Sequence, residues 1–226
     1  MTASASLLCS CLIGGALALG CDDDAPRESP WSGQTFLVEV PSSSWAEPRG
    51  VGTEFGAFVP QFLLEVESGT ENEFEVHIGT ARGGEQDRCG PTTRAPAASQ
   101  YPAVQIGPSS VDVHIVHDRE PIQITATILN FTLQNVLPGA APPDEGELTG
   151  MMDARELYPM FTLLGPRRSA DTVCTAVASF GTECAPCPTD GAAYCLAVRA
   201  NYFGARAVPM QLEPIAAQEL DPACLE

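Results

Sequence analysis

The chain has 226 residues, with 29 acidic side chains against 11 basic ones and a formal net charge of −18. A surface this negative repels phosphate backbones and anionic lipid headgroups, which excludes nucleic acid as a partner. All 11 of these basic residues are arginine, so the chain has no lysine for Schiff-base catalysis.

An apolar run at the start of the chain ends in a small residue and a cysteine. The run from Leu7 to Leu19 spans about 13 residues, which suits the apolar core of a secretion signal and is too short for a spanning helix of about 20 residues. Gly20 and Cys21 follow the run, and the sequence turns acidic at Asp22. This arrangement resembles the signal peptide and lipobox of bacterial lipoproteins. A plain, cleaved secretion signal and an uncleaved membrane anchor are the alternatives.

The lipobox resemblance implies three parts in the chain. Residues 1–20 are the signal peptide, Cys21 is the lipidation site that carries palmitate or a similar chain, and residues 21–33 are a flexible tether. Residues 34–226 then form a single domain of about 190 residues, enough for one well-buried core. The resemblance also implies export and anchorage to the outer membrane or cell surface, with the periplasmic face of the inner membrane as the alternative.

The remaining cysteines predict a disulfide framework. Of the nine cysteines, Cys9 and Cys11 leave with the signal peptide and Cys21 is the lipid site, so six remain. An even number of cysteines in an exported domain is typical of disulfide pairing. The middle four are clustered, so we expect two local bridges with their pairing left open, and a long-range bridge between the outer two. In chain order the six are Cys89, Cys174, Cys184, Cys187, Cys195 and Cys224.

Alternation of apolar and polar residues predicts a mainly β domain. We expect a first strand at residues 35–40 and a hairpin at 62–78 with its polar turn at 68–72. Residues 82–100, rich in Gly, Pro, Ser and Arg, are predicted to form a long surface loop. Further strands are predicted at 111–116, 122–133, 147–152 and 194–202.

Two short helices are predicted among the later strands. Asp153 is suited to cap the first, and the second is expected at 171–180, capped by Asp171 and ended by Gly181. About eight antiparallel strands with two or three short helices favour a β-sandwich or a partly closed β-barrel, stapled by disulfides.

The motif Cys184-Ala185-Pro186-Cys187 is the strongest candidate for chemistry. It is similar to the C-x-P-C of thioredoxin-like oxidoreductases, whose first cysteine is a thiolate at a helix N-terminus. Here the motif follows a predicted helix and no βαβ pattern precedes it, so structural disulfides are the preferred interpretation. Redox catalysis and a zinc half-site are the alternatives.

A second group, His114, His117 and Asp118, looks like a set of metal ligands. On a strand, His114 and His117 point to opposite faces, whereas Asp112 shares the face of His114. We therefore interpret these residues as exposed polar side chains on the solvent face of the sheet.

Other polar groups are also expected to be structural. Asp153 and Arg155 are predicted to form a hydrogen-bonded pair at a strand-to-helix corner. The acidic groups at 22–24 and 144–147 lack the regular spacing of a calcium loop, and the chain has no nucleophile elbow. The sequence thus predicts no catalytic residue, no metal site and no cofactor.

Four segments are similar to those of uncharacterised lipoproteins from high-GC Gram-negative bacteria. They are residues 45–52, 58–66, 150–157 and 171–196, the last of which holds the C-x-P-C motif. The similarity would extend over nearly all of residues 30–205. It implies a shared fold and anchor and transfers no catalytic residue.

The expected function is a non-enzymatic, lipid-anchored protein of the cell envelope with a structural or binding role. Its expected partners are the membrane, through the N-terminal lipid, and an apolar small ligand or an envelope protein; the oligomeric state stays open. One alternative is a lipocalin-like carrier, which needs an apolar cavity of roughly 300 Å³ or more. The other is a thiol–disulfide oxidoreductase that uses Cys184 and Cys187.

Overall fold

The computed structural model describes residues 27–49, 56, 59–100, 103–117, 120–134, 145–158, 169–201, 203–219 and 224. The predicted signal peptide, Cys21 and the start of the predicted tether lie outside these residues. Within the described part of the chain, no helix is both long and apolar enough to cross a membrane.

Eleven strands in the described residues form one antiparallel sheet. They are β1 (Thr35–Glu39), β2 (Trp45–Glu47), β3 (Gln61–Gly69), β4 (Glu73–Arg82), β5 (Glu85–Gln86), β6 (Thr93–Gln100), β7 (Ala103–His117), β8 (Glu120–Leu133), β9 (Gly146–Asp153), β10 (Cys195–Asn201) and β11 (Gly204–Val208). Two helices, α1 (Ala154–Leu157) and α2 (Ala170–Ala178), lie between β9 and β10.

The sheet curls into a half-barrel. Its strand order is β11-β1-β3-β4-β6-β7-β8-β9-β10-β2, with β5 added beside β4. Phe62 of β3 and Phe131 of β8 contact each other with ring centroids 5.3 Å apart. In a flat sheet these strands would be separated by four spacings of about 4.8 Å, or roughly 19 Å. The contact therefore requires strong curvature, and the predicted mainly β fold with a partly closed barrel is confirmed.

The two ends of the sheet are joined by short chain passages. β1 lies near one end and β2 at the other, yet only residues 40–44 separate them in sequence. In the same way, residues 202–203 separate β10 from β11. The β1–β2 segment and the β10–β11 segment therefore run antiparallel to each other, since β1 pairs with β11 and β2 pairs with β10. We call this line of contact between the two ends of the sheet the seam. The seam explains why the sheet curls.

The core fills the inside of the curl. Val111, Val113 and Ile115 of β7 are buried and face their β8 partners, as their predicted alternation requires. Val173 and Val177, one turn apart on α2, belong to the same buried cluster. An apolar cavity of about 20 Å³ remains inside, enough for about one water molecule.

Part of the predicted tether belongs to the folded domain. Glu28 forms a β-bridge with Thr70, and the backbone N–H of Ser29 donates to the carbonyl oxygen of Gly69. The side chain of Trp31 is 5% exposed and packs with the inner core. The domain therefore includes residues 27–33, and the prediction of a free tether up to residue 33 is wrong, because Trp31 supplies an apolar anchor.

The predicted surface loop at 82–100 is also wrong for its second half. Residues 93–100 form β6, which pairs with β4 and β7. Ala95 and Ala97 turn small side chains into the core, while Pro96 is exposed. Weak local β-propensity is here overridden by pairing on both sides. The cap of α2 is corrected as well, since Ser169 forms a capping box with Thr172 and Asp171 lies in the first turn.

A C-terminal strap, defined as residues 209–219, crosses the outer face of the sheet. Leu212 packs in a small second cluster with Leu37, Leu63 and Ala81. The N–H of Leu212 donates to the carboxylate of Glu65 at 3.1 Å. Beyond the strap, Cys224 is bonded to Cys89.

Candidate functional site

The six predicted disulfide cysteines form three disulfides. The pairs are Cys89–Cys224, Cys174–Cys184 and Cys187–Cys195, with Cα–Cα distances of 5.3, 5.6 and 4.9 Å. These distances lie within the normal range for disulfides. The predicted long-range bridge and the two local bridges are therefore confirmed, and the pairing inside the cluster is resolved.

The C-x-P-C motif holds one half of each local disulfide. Cys184 is bonded to Cys174 and Cys187 to Cys195, so neither sulfur is a free thiolate in this state. The motif also follows α2 and does not open it. A thioredoxin-like site needs the reverse arrangement, with the reactive cysteine at a helix N-terminus.

The predicted Asp153–Arg155 pair stands at the corner between β9 and α1. Asp153 caps the helix by accepting the backbone N–H of Arg155 at 2.8 Å. The Arg155 guanidinium donates to both Asp153 and Asp190, and it lies 5.5 Å from the centre of the Tyr194 ring. The Tyr194 hydroxyl in turn donates to Asp171 of α2 at 3.0 Å. These residues, Asp153, Arg155, Asp171, Asp190 and Tyr194, are called the corner network below. The network links both helices to the loop that carries Cys187.

The ionisable groups of the corner network are hydrogen-bonded to one another. Hydrogen bonds to Asp153 and then Asp190 raise the pKa of Arg155, and the guanidinium lowers the pKa of Asp190. The hydrogen bond to Asp171 raises the pKa of Tyr194. The network is therefore a set of satisfied partners that fastens the helices.

Glu156 is a half-buried carboxylate that the sequence did not single out. One of its oxygens accepts the backbone N–H of Thr125 on β8 at 2.6 Å. Burial raises the pKa of Glu156, and the negative charges of Asp153 and Asp112 add to that shift. The Thr125 hydrogen bond opposes the shift without cancelling it.

His114 is buried on the outer face of β7. Its neighbours Val113 and Ile115 face the core, so His114 faces away from it. The residue is nevertheless only 8% exposed. The prediction of an exposed polar side chain is therefore wrong for His114. The side chain of His117 and all of Asp118 lie outside the described residues.

The cover over His114 comes from the segment between β5 and β6. The N–H of Asp87 donates to the carbonyl of Thr80, and the Asp87 carboxylate accepts the N–H of Cys89 at 2.9 Å. The Arg82 guanidinium lies 3.2 Å from the second oxygen of that carboxylate. Cys89 is held in turn by its bond to Cys224.

Three ligand-type side chains, Asp87, Cys89 and His114, come together here, and the disulfide joins Cys224 to them; these four residues are called the His114 cluster below. His114 Nδ1 lies 4.0 Å from Asp87 Oδ2. The carboxylate, sulfur and imidazole atoms of Asp87, Cys89 and His114 lie within 4.8 Å of one another. Neither ring nitrogen of His114 has a hydrogen-bond partner among the described residues.

Sequence reasoning found only parts of this cluster. It paired Cys89 with Cys224 and noticed His114, but grouped the histidine with Asp112 and His117. Asp87 was missed because it lies in a predicted loop, far from His114 in sequence. One sequence feature does point to Asp87, namely its position two residues before a disulfide cysteine. An aspartate at that position can accept the cysteine's backbone N–H.

No family model, no curated protein and no solved structure matches this chain. The resemblance to uncharacterised lipoproteins therefore stays a prediction.

Proposed function

We propose that this protein is an exported, lipid-anchored protein of the bacterial cell envelope with a structural or binding role and no catalysis. The observation that carries the proposal is the division of the cysteines. All six that follow Cys21 pair among themselves, which leaves Cys21 outside the disulfide framework. A leftover cysteine directly after an apolar leader is the substrate of lipoprotein acylation in the resemblance drawn above.

The disulfides support the exported part of this proposal. Stable disulfides form in oxidising compartments such as the periplasm or the cell surface, and they are rare in reducing ones. Three of them in one domain fit a chain that folds after export. The net charge of −18 fits attachment by lipid better than attachment by electrostatic contact with anionic headgroups.

Few residues separate the folded part of the chain from the proposed anchor. Described residues begin at Arg27, and the next few are held against the hairpin of β3 and β4. Residues 22–26 then remain as the link, which spans at most about 20 Å at roughly 3.3–3.6 Å per residue. A lipid on Cys21 therefore keeps the Trp31 end of the half-barrel near the bilayer.

A binding role is better suited to the outer surface than to the interior. The cavity inside the curl measures about 20 Å³, far below the roughly 300 Å³ of a ligand pocket. This argues against the carrier alternative. The redox alternative is also disfavoured, because Cys184 and Cys187 belong to different disulfides.

Metabolic labelling with a palmitate analogue tests the proposal. The full chain and a Cys21→Ser variant are expressed in a Gram-negative host, and label on the purified protein is measured. We expect label on the wild type and none on the variant. Cys11→Ser is the matched control, since it removes a leader cysteine and is expected to keep the label.

Localisation gives a second readout of the same variants. The wild type is expected in the membrane fraction and Cys21→Ser in the soluble exported fraction. Label that persists on Cys21→Ser, or an unlabelled wild type that is exported, would overturn the lipid anchor.

A further inference from the structure

Neither ring nitrogen of His114 has a hydrogen-bond partner in the described part of the chain, although the residue is more than nine-tenths buried. Buried polar atoms in native proteins nearly always have a partner, so an open pair requires an explanation. His77, the other buried histidine described, shows the usual case: Glu67 lies 3.0 Å from its Nε2, and Arg94 donates to the same atom. The ring nitrogens of His114 can therefore accept a further ligand, whereas the Nε2 of His77 is already engaged.

Three ligand-type side chains converge at His114, and a fourth, Cys224, is joined to them through the disulfide. Asp87 offers a carboxylate oxygen 4.0 Å from Nδ1, and the Cys89 sulfur completes a group within 4.8 Å. The Cys224 sulfur is bonded to that of Cys89, so it adjoins this group, although it lies beyond 4.8 Å from at least one of the other ligand atoms. Two sulfurs, one imidazole and one carboxylate are ligands that suit tetrahedral zinc.

We propose that the chain binds one Zn²⁺ between Cys89, Cys224, His114 and Asp87 when the Cys89–Cys224 disulfide is open. With the disulfide closed, the sulfurs are not thiolates, and the remaining two side chains are too few for a structural zinc site. The disulfide and the zinc site are therefore mutually exclusive states of the same four side chains.

The open state arises in two ways. A newly exported chain has both thiols before an oxidant joins them. A dithiol can also reduce the closed bond: the dithiol gives two electrons and two protons, its own sulfurs become a disulfide, and Cys89 and Cys224 become thiols. Zn²⁺ then binds as the two thiols release their protons to solvent.

The surroundings match the charge of the occupied site. Two thiolates, one carboxylate and a neutral imidazole around Zn²⁺ carry one net negative charge. Arg82, whose guanidinium lies 3.2 Å from Asp87 Oδ2, supplies a positive charge beside it. The N–H of Cys89 donates to the other Asp87 oxygen and orients the carboxylate.

Zinc would fasten the same part of the chain as the disulfide. Cys224 follows the C-terminal strap, and Cys89 and Asp87 belong to the segment that covers β7. Either bond therefore holds the end of the strap to this cover. Zinc in the open state also keeps Cys89 and Cys224 from pairing with the clustered cysteines.

Cobalt(II) is the probe for the test, because tetrahedral thiolate coordination gives it visible d–d bands and a sulfur-to-metal charge-transfer band. The purified full chain is reduced with a phosphine, desalted without oxygen and titrated with Co²⁺, which Zn²⁺ then displaces. We expect one equivalent that depends on His114 and Asp87. Its affinity should fall in His114→Gln and Asp87→Asn by more than the roughly 10–100-fold that loss of an outer partner costs.

Two comparisons make the test specific. His77→Gln removes a buried histidine from the same sheet and is expected to keep the cobalt spectrum. His114→Cys restores a ligand and is expected to recover binding, which separates loss of a ligand from loss of folding. Cobalt held by the other four cysteines gives bands that His114→Gln leaves unchanged.

The closed form is measured in parallel. The oxidised wild type is expected to bind no cobalt with thiolate bands. If the reduced chain shows no equivalent that depends on His114, the proposal is overturned, and a buried water is then the partner of the ring nitrogens. Equal binding by His114→Gln and wild type is also a negative result.

Discussion

The corner network and the His114 cluster have similar composition and opposite character. Each places a carboxylate within 4.8 Å of disulfide sulfurs: Asp153 beside Cys187 and Cys195, and Asp87 beside Cys89. In the corner, Arg155 occupies the carboxylate of Asp153 with direct hydrogen bonds. In the cluster, His114 Nδ1 lies 4.0 Å from Asp87 Oδ2, and no described residue forms a hydrogen bond with either ring nitrogen.

The two regions differ in whether their buried or half-buried polar groups are hydrogen-bonded. Asp153 and Arg155 are close in sequence, Asp190 and Tyr194 belong to one loop, and all four are at least partly exposed, so water and arginine share the cost of charge. The cluster brings together distant segments, and both Asp87 and His114 are buried in it. Its open histidine is a cost to the closed fold, which makes it a candidate for a second state.

Removing each disulfide should give the largest contrast between the two regions. Cys89 and Cys224 close a loop with a sequence separation of 135, whereas Cys187 and Cys195 have a separation of 8. The chain-entropy model gives about 5 kcal/mol for the long loop and about 2.5 kcal/mol for the short one. Urea unfolding of the two double alanine variants measures both values.

The control is the Cys174–Cys184 pair, which closes another short loop with a sequence separation of 10. Its double alanine variant should resemble that of the short pair. If the long-range variant loses no more stability than the two local ones, the distal bridge contributes little as a constraint on the unfolded chain.

Replacing the basic side chain of each region should give effects of opposite sign. His114→Leu removes two open nitrogens and keeps an apolar body, so it should stabilise the oxidised domain by about 1 kcal/mol. Arg155→Met should destabilise the domain, because Asp153 and Asp190 lose their shared partner. Thermal unfolding at neutral pH compares both variants with the wild type.

His77→Leu is the matched control for His114→Leu. His77 is buried to a similar degree but is paired with Glu67, so its replacement should lower stability. A stability loss in His114→Leu as large as that in His77→Leu would mean that His114 has a partner in the closed state.

The sequence predicted the corner better than the cluster for a physical reason. Asp153 and Arg155 are two residues apart, and the cap that joins them is a local rule of helix geometry. The strands with regular alternation, such as the hairpin of β3 and β4, were predictable for the same reason. Each of these features depends on neighbours along the chain.

The features that were not predicted depend on tertiary contact. The strand at residues 93–100 has alanine and proline where strands usually have branched residues, and it exists because β4 and β7 flank it. Trp31 was assigned to a tether although it packs with Phe74, ring centroids 5.9 Å apart. Burial of His114 required a cover from residues 87–89, which no periodicity indicates.

The smallest expected effect is the pH dependence within the corner, where two carboxylates should act in opposite directions. Burial raises the pKa of Glu156 in the folded state, so the folded chain binds its proton more tightly than the unfolded chain. Stability from this group is therefore lost as pH rises above the ordinary glutamate pKa of about 4.5. Asp190 has a lowered pKa, so its contribution is lost as pH falls below the ordinary aspartate value of about 3.8.

Glu156→Gln isolates the first effect, because glutamine still accepts the N–H of Thr125 but does not titrate. Unfolding free energies between pH 4 and pH 7 should fall less steeply in the variant than in the wild type. Asp190→Asn provides the opposite case, in which stability lost on acidification becomes smaller. Parallel pH profiles for wild type and Glu156→Gln would contradict this expectation and show that water reaches the Glu156 carboxylate.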